Sequence, residues 1–379
     1  MKNLKNRAIL IFALASFLND FGSDIIYPLW PLYVTEVLGA SMIALGFLDG
    51  LGNALVSISQ GLSGYLSDKI RRRKLFIWSG YLMGAISRVG YSTASSWQWL
   101  IPYRALDRAG KIRGAPRDAM IADLSSKQQI GRNFGFLRMM DHLGAFLGVI
   151  AGVLLVGILG YRKLFFLAAF PSLLSLLLIV LFISEQRKGI NRRIKISFKD
   201  FDKNFYFLLL SISFFALGNF SYSFLLLAAR GENFKTSSIP LLYLVFTFTA
   251  SIMSLPMGRI SDKFGKKAVL LWSFLLFMIL CLGFIFVGDG KLLILLLFII
   301  YGFHLAAFEP SVRALASKIS SEKIRATALG TLQMGMGLLS LPASLIAGFL
   351  WQTFGKEYVF IFSLITTFVA IAGLAFVKE

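Results

Sequence analysis

Cysteine is nearly missing: Cys281 is the single one among 379 residues, so neither a disulfide framework nor a thiolate metal site can form within the chain. Histidine is scarcely commoner, with His142 and His304 far apart, and the sequence has no phosphate-binding loop and no paired-histidine zinc motif. Neither enzyme chemistry nor a cofactor is expected. Charge is low as well. Asp, Glu, Lys and Arg make up 15% of the chain, against roughly a quarter in soluble domains. Acidic residues are the scarcer sign, 19 against 39 basic ones, for a formal charge of +20. What replaces them is apolar: 57% of residues are hydrophobic, Phe alone supplies 37, and mean hydropathy is +0.73. A water-soluble chain of this length could not bury so much apolar surface, whereas a bilayer accepts it directly. The composition implies an all-α membrane protein.

The basic excess does not form the single patch that nucleic acid needs, and no nucleic-acid partner is expected. It falls in short clusters between apolar runs. Lys2, Lys5 and Arg7 open the chain, Lys69 and Arg71, Arg72, Arg73 and Lys74 fill one gap, and Arg187 to Lys203 holds the longest cluster. Alternate gaps are nearly free of them. About 25 basic residues lie on one side, about six on the other and about eight within helices. That asymmetry predicts a cytoplasmic (inner) membrane protein with both termini in the cytoplasm, Arg162 and Lys163 being the exception. The first segment runs past a signal-peptide length, through Phe17 to Tyr33, so an uncleaved first helix is expected.

At about 20 residues per crossing, twelve spans are expected, near 8–33, 40–66, 75–94, 97–123, 133–159, 163–184, 205–229, 238–258, 268–288, 292–316, 326–353 and 357–377. The polar stretch 185–204 divides them into residues 1–184 and 205–379, six helices each. A repeat supports that division. Gly64-Tyr-Leu-Ser-Asp68-Lys recurs as Gly258-Arg-Ile-Ser-Asp262-Lys, 194 residues on, and Pro116 to Arg132 is echoed by Pro310 to Arg325. Both copies start on the same side, so the six-helix bundles are parallel, related by a pseudo-two-fold axis along the membrane normal.

At these loops the chain resembles the major facilitator superfamily. Its signature runs roughly Gly-x-x-x-Asp-Arg/Lys-x-Gly-Arg/Lys-Arg/Lys, and Gly258, Asp262, Lys263, Gly265, Lys266 and Lys267 fit throughout. The first copy has Gly64, Asp68, Lys69, Arg72, Arg73 and Lys74, with Arg71 in place of the second glycine. The stretch Arg104-Ala-Leu-Asp107-Arg108 through Pro116-Arg117-Asp118 is similar to a bacterial subgroup whose substrates are mostly unassigned, and it lacks one residue beside Gly110 relative to that subgroup. The resemblance implies a twelve-helix secondary transporter with a cytoplasmic latch. Gly64 permits close helix approach, Asp68 faces the positive end of a neighbouring helix, and Arg72 bridges it to a carboxylate at the end of helix 4, which Asp123 matches. The plain alternative is a set of solvated topology charges.

Ionisable groups at membrane depth are costly unless they meet a cavity or a partner. Helix 1 carries Asp20 and Asp24, four apart and so on one face, with Asn19 alongside. Helix 4 carries the stripe Arg104, Arg108 and Lys111, flanked by Asp107. Helix 10 carries His304, Glu309 and Arg313, and helix 7 offers Asn219 and Tyr222. The resemblance implies that helices 1, 4, 7 and 10 line a central cavity. There Asp20 or Asp24 takes up a proton and Arg104 or Arg108 meets substrate; the bland counterpart is static pairing, as in Asp107–Arg104 and Glu309–Arg313. His304 fits packing and proton or substrate contact equally. Arg138, Asp141 and His142 on helix 5 suit a gate or packing better than coupling. Gly144, Gly148 and Gly152 form a ridge of small residues for tight helix contact.

The reading is a monomeric, proton-coupled secondary transporter of a small anionic or zwitterionic organic solute, working by alternating access. The alternative is a carrier for a metal ion or iron chelate, given the oxygen and nitrogen ligands among Asp20, Asp24, His304 and Glu309. A non-transporting membrane receptor comes third.

Overall fold

In a lipid core each backbone N–H must be satisfied within its own segment, so long apolar stretches become helices. The computed structural model describes residues 2–40, 42–126, 128–185, 201–219, 224–225, 228–229, 239–286 and 290–379. Within them α1 is Lys2–Ile26, α2 Met42–Ile70 and α3 Arg73–Thr93. Helix α4 runs as Leu100–Ala109, a 3-10 turn Gly110–Arg113, and Gly114–Leu124. The stretch Ile130–Leu167 is broken at Gly160, whose φ of 69° suits glycine. The part before the break is α5; the part after it, with Ala169–Phe182, is α6. The second repeat supplies α7 Lys203–Gly218, α8 Ile239–Phe264, α9 Lys266–Phe286, α10 Lys291–Ile319, α11 Arg325–Phe354 and α12 Lys356–Ala375. The expected linker falls almost wholly on residues 186–200, outside the described ones.

Seven stretches among the described residues are long and apolar enough to cross a membrane on length and composition alone. Ile130–Phe182 counts once there although it holds both α5 and α6. Helix α4 drops out because its charges lower the hydropathy, and α7 because its described part is 16 residues.

The helices form two compact units. One comprises Met1–Ser125, Met140–Ile196 and Glu322–Met334; the other comprises Ser126–Met139, Ser197–Ser321 and Gly335–Glu379. In the first, α6 packs on α1 and α3, and α4 on α2 and α3. The ridge on α5 lies against α1: side chains added at Gly144, Gly148 and Gly152 would strike the carbonyls of Phe17, Phe21 and Ile25. In the second unit α10 packs on α8 and α9, and α12 on α7 and α9.

Candidate functional site

The polar residues of α1 are held by an arginine of α3. Arg88 is 2% exposed. It donates from Nη2 to the Asn19 carbonyl and Oδ1 at 3.1 and 3.4 Å, and from Nη1 to the Ala168 carbonyl at 3.4 Å. Asn19 in turn donates to Asp20 Oδ1 at 2.8 Å. Asp24 lies one turn on, against Gly148 of α5. Both carboxylates are within electrostatic reach of Lys111 on α4.

On α4, Arg104 is buried and its guanidinium stacks 4.4 Å from the Trp30 ring. Arg108 packs on the bare backbone of Gly52, and its Nε is 3.5 Å from Asp107 Oδ2. Asp107 therefore pairs with Arg108, where the stripe had suggested Arg104. Lys111 sits in the 3-10 turn, and Arg113 Nη1 donates to the Gly110 carbonyl at 2.8 Å. That turn occupies the place where the sequence is one residue short. Below it Arg117 and Asp118 form a second, buried ion pair at 3.0 Å.

In the second unit Glu309 Oε2 is shared by Arg313 at 3.7 Å and Arg138 at 3.8 Å. His304 is not a cavity-wall residue there. Its ring is fully buried among Phe215, Phe277, Tyr301 and Phe308, with Nδ1 donating to the Ser273 carbonyl at 2.7 Å. Asn219 ends α7, its N–H on the Phe215 carbonyl at 2.8 Å; Tyr222 lies outside the described residues. Asp141 is buried within electrostatic reach of Arg117, and His142 is half-buried on the next position.

The duplicated loops cap helices of the other repeat. Asp68 Oδ2 accepts from the Thr327 N–H at 2.8 Å and its hydroxyl at 3.0 Å, in the first turn of α11. Asp262 accepts from the Gly131 and Arg132 N–H groups at 2.8 and 2.7 Å, in the first turn of α5. These are the unsatisfied donors of helix starts, where a carboxylate also meets the positive end of the dipole. Gly64 lies on Ala326 and Gly330, and Gly258 on Gly131 and Gly135, with no room for a side chain at either.

The arginine that bridges is Arg73, not Arg72. Arg73 holds Asp68 at 2.8 Å and Asp123 at 2.6 Å, and Arg325 closes on the same Asp123. Arg71 takes the left-handed backbone (φ 55°) that Gly265 takes in the second copy (φ 101°). The turn therefore survives without glycine, and it leaves Arg72 exposed just ahead of α3. Lys69 and Lys263 are also exposed, over the Tyr65 and Phe264 rings, and take no part in holding the carboxylates. A cavity of 190 Å³ beside this network is lined by Asp68, Arg73, Asp123, Glu185, Glu322 and their neighbours. That is below the roughly 300–1,000 Å³ of ligand pockets and suits a few waters.

Comparison with known proteins decides the family. The Major Facilitator Superfamily profile matches residues 12–237 and 206–379. The chain belongs to the Major Facilitator Superfamily. It is 35% identical to an MFS-type transporter of Methanocaldococcus jannaschii, over 98% of this chain and 95% of that one. The proton:xylose symporter XylE shares the fold with a TM-score of 0.82 and 18% identity, over 100% of this chain and 96% of that one. The human organic anion transporter MFSD10 (TETRAN) does so with a TM-score of 0.79 and 17% identity, over 98% and 99%. As in the superfamily, twelve spans form two six-helix bundles, and the protein is a multi-pass membrane transporter.

This superfamily member has a further duplicated pair that sequence reasoning missed. Glu185, after α6, accepts from the backbone N–H groups of Arg73 and Lys74 at 3.0 and 3.1 Å and so caps α3. Glu379, 194 residues on, accepts from the Lys267 N–H at 2.9 Å and caps α9. The signal was present, because the two share the repeat's spacing. Arg88 was also legible, as an arginine inside an apolar run.

The two caps differ electrostatically, which gives a prediction. Burial raises the Glu185 carboxyl above the ordinary 4.5, against the Lys74 and Arg73 amides. Burial also acts upward on Glu379, but the Lys266 and Lys267 amides and the Lys318 ammonium bring it below 4.5. Glu379 thus stabilises the fold above 4.5 and loses that contribution as pH falls through its lowered value. Protonation of Glu185 favours the fold as pH falls through its raised value. Thermal unfolding between about pH 7 and about pH 3 is expected to show a shallower acid loss for Glu379→Gln and a steeper one for Glu185→Gln. Equal slopes would refute the assignment.

Proposed function

We propose that this chain is a proton-coupled secondary transporter of small organic anions, including zwitterions with a carboxylate, in the cytoplasmic membrane. The carrying observation is the cluster on α1, α3 and α4. Its described side chains include Arg88, Arg104, Arg108 and Lys111 against Asp20, Asp24 and Asp107, and they lie within electrostatic reach of one another. Four cations face three carboxylates. Protonating one carboxylate raises the positive excess, and an anion restores balance, so proton and anion bind together more readily than either alone. Burial strengthens that coupling, because the dielectric is low. The TM-scores to a proton symporter and an organic anion transporter are in keeping with this chemistry on this fold.

The caps at Asp68 and Asp262, with Arg73, Asp123 and Arg325, serve as the cytoplasmic latch. They hold the starts of α11 and α5 while the cavity faces outward, and release them when it faces in. Both termini lie on that side.

The test is counterflow and pH-driven flux in proteoliposomes with labelled organic anions. Saturable anion flux that rises with the pH gradient, and that Arg108→Gln reduces at least tenfold, is the expected result; tenfold is roughly the loss of one charge-assisted contact. Flux indifferent to both the gradient and Arg108 would sink the proposal.

A further inference from the structure

The Arg117–Asp118 pair belongs neither to the duplicated signature nor to the stripe above it, yet Asp118 has no solvent exposure at all. Arg117 reaches it with Nε and Nη2, both at 3.0 Å, and extends Nη1 to the Ser16 hydroxyl of α1 at 2.5 Å. The other carboxylate oxygen, Oδ2, accepts from Gln333 Nε2 of α11 at 3.3 Å. Gln333 is 7% exposed, and its Oε1 is buried with no hydrogen-bond partner. It lies over Gly114, where α4 resumes after its 3-10 turn.

Gln333 is eight residues beyond Arg325, or about 12 Å farther along the helix. The links at the start of α11 border the cavity of 190 Å³. The Gln333 link is buried and joins α11 to the charges of α4 and α1. An amide suits the place for a specific reason. It donates to a carboxylate that an arginine already neutralises, so it adds attraction without adding charge. A hydrocarbon would leave Asp118 Oδ2 short of a donor in a buried site, and a carboxylate would repel it.

We propose that Gln333 is a positioning residue that ties α11 to the Arg117–Asp118 pair, forming an inner barrier behind the cytoplasmic latch. This rests on the transport reading, in which α11 moves away. Opening then has two stages: the helix-start contacts part, and the Gln333–Asp118 contact must break before the upper cluster meets the cytoplasm. The ionisable groups around the tie are Arg117 and Asp118 on α4, Tyr81 on α3, Asp141 on α5 and Asp20 on α1.

The test reads exposure, not transport. Ala115 is fully buried on α4 and faces Gly330 of α11. In a Cys281→Ser background, Ala115→Cys supplies a thiol whose alkylation rate reports separation of α4 and α11. Gln333→Glu is expected to raise that rate on the order of tenfold at about pH 8, where both carboxyls are ionised, and much less at about pH 5. Recovery at low pH also shows that the variant is folded. Adding Asp118→Asn exchanges donor and acceptor and should return labelling at pH 8 to the parent level. A rate equal to the parent at both pH values, or no rescue by Asp118→Asn, overturns the tie. Because no solute is needed, absent anion flux with intact labelling behaviour would count against the transport reading alone.

Discussion

Combining Asp20→Asn with Asp24→Asn is predicted to abolish accumulation driven by a pH gradient while leaving solute exchange partly intact. A gradient of one pH unit supplies about 1.4 kcal/mol per proton, enough for tenfold accumulation at one proton per solute. The double variant should stop at equal concentrations on both sides. The prediction follows from position. Both carboxylates lie on one face of α1, near Lys111, and Asp20 is held by Asn19, itself fixed by Arg88. Asparagine is of similar size and keeps a hydrogen-bonding oxygen, so packing against Gly148 survives and only the titrating charge is lost. The measurement is uptake in proteoliposomes with and without the gradient, beside exchange at equal pH. Normal concentration of solute by the double variant would place coupling elsewhere, with Glu309 the next carboxylate to replace.

Gly64→Val is predicted to disable transport and to leave the latch end of α2 and α11 open. A first side-chain carbon at Gly64 would strike the Ala326 carbonyl oxygen and lie 3.2 Å from Gly330 Cα. Both obstacles are backbone, so no rotamer relieves them. Separating the helices breaks the Asp68 contacts to Thr327 and strains the Asp123 contact to Arg325. At about 1.5 kcal/mol for each hydrogen bond to a charged group, three lost contacts cost roughly 4 kcal/mol. That changes the closed-to-open ratio about a thousandfold. Gly258→Val should act alike at Gly131 and Gly135. Gly157→Val, where nothing lies within 4 Å, serves as the control. Alkylation of the thiol introduced by Ala115→Cys reads the outcome; unchanged labelling in Gly64→Val would show that the close approach is dispensable.

Hydropathy and the repeat made the architecture legible before any coordinates, because lipid imposes length and periodicity on every span. The latch carboxylates were legible for the same kind of reason: a motif copied at fixed spacing marks a place where geometry is copied. The choice of arginine was not. Arg72 and Arg73 differ by one position, and the backbone angle at Arg71 decides which of them points at Asp68. His304 shows another limit. Sequence places an imidazole at membrane depth, but only packing reveals that its turn of α10 meets aromatic rings of α7 and α9. The Asp118–Gln333 contact joins residues 215 positions apart, and neither belongs to a repeated pair. No local pattern could have connected them.

The tight turn in α4 resolves an apparent mismatch of length. Four residues, Gly110–Arg113, wind at about 120° and 2.0 Å each, about 480° and 8 Å in all. Five residues of ordinary helix would wind about 500° and rise about 7.5 Å. The shorter segment is nearly interchangeable in metric with one a residue longer, so everything after it keeps its compass bearing. Restoring the extra amino acid without undoing the tight winding would swing Arg117 and Asp118 by about 100°, away from Ser16 and from the neighbouring glutamine. Chain length in this helix is therefore free to vary only as fast as its winding does.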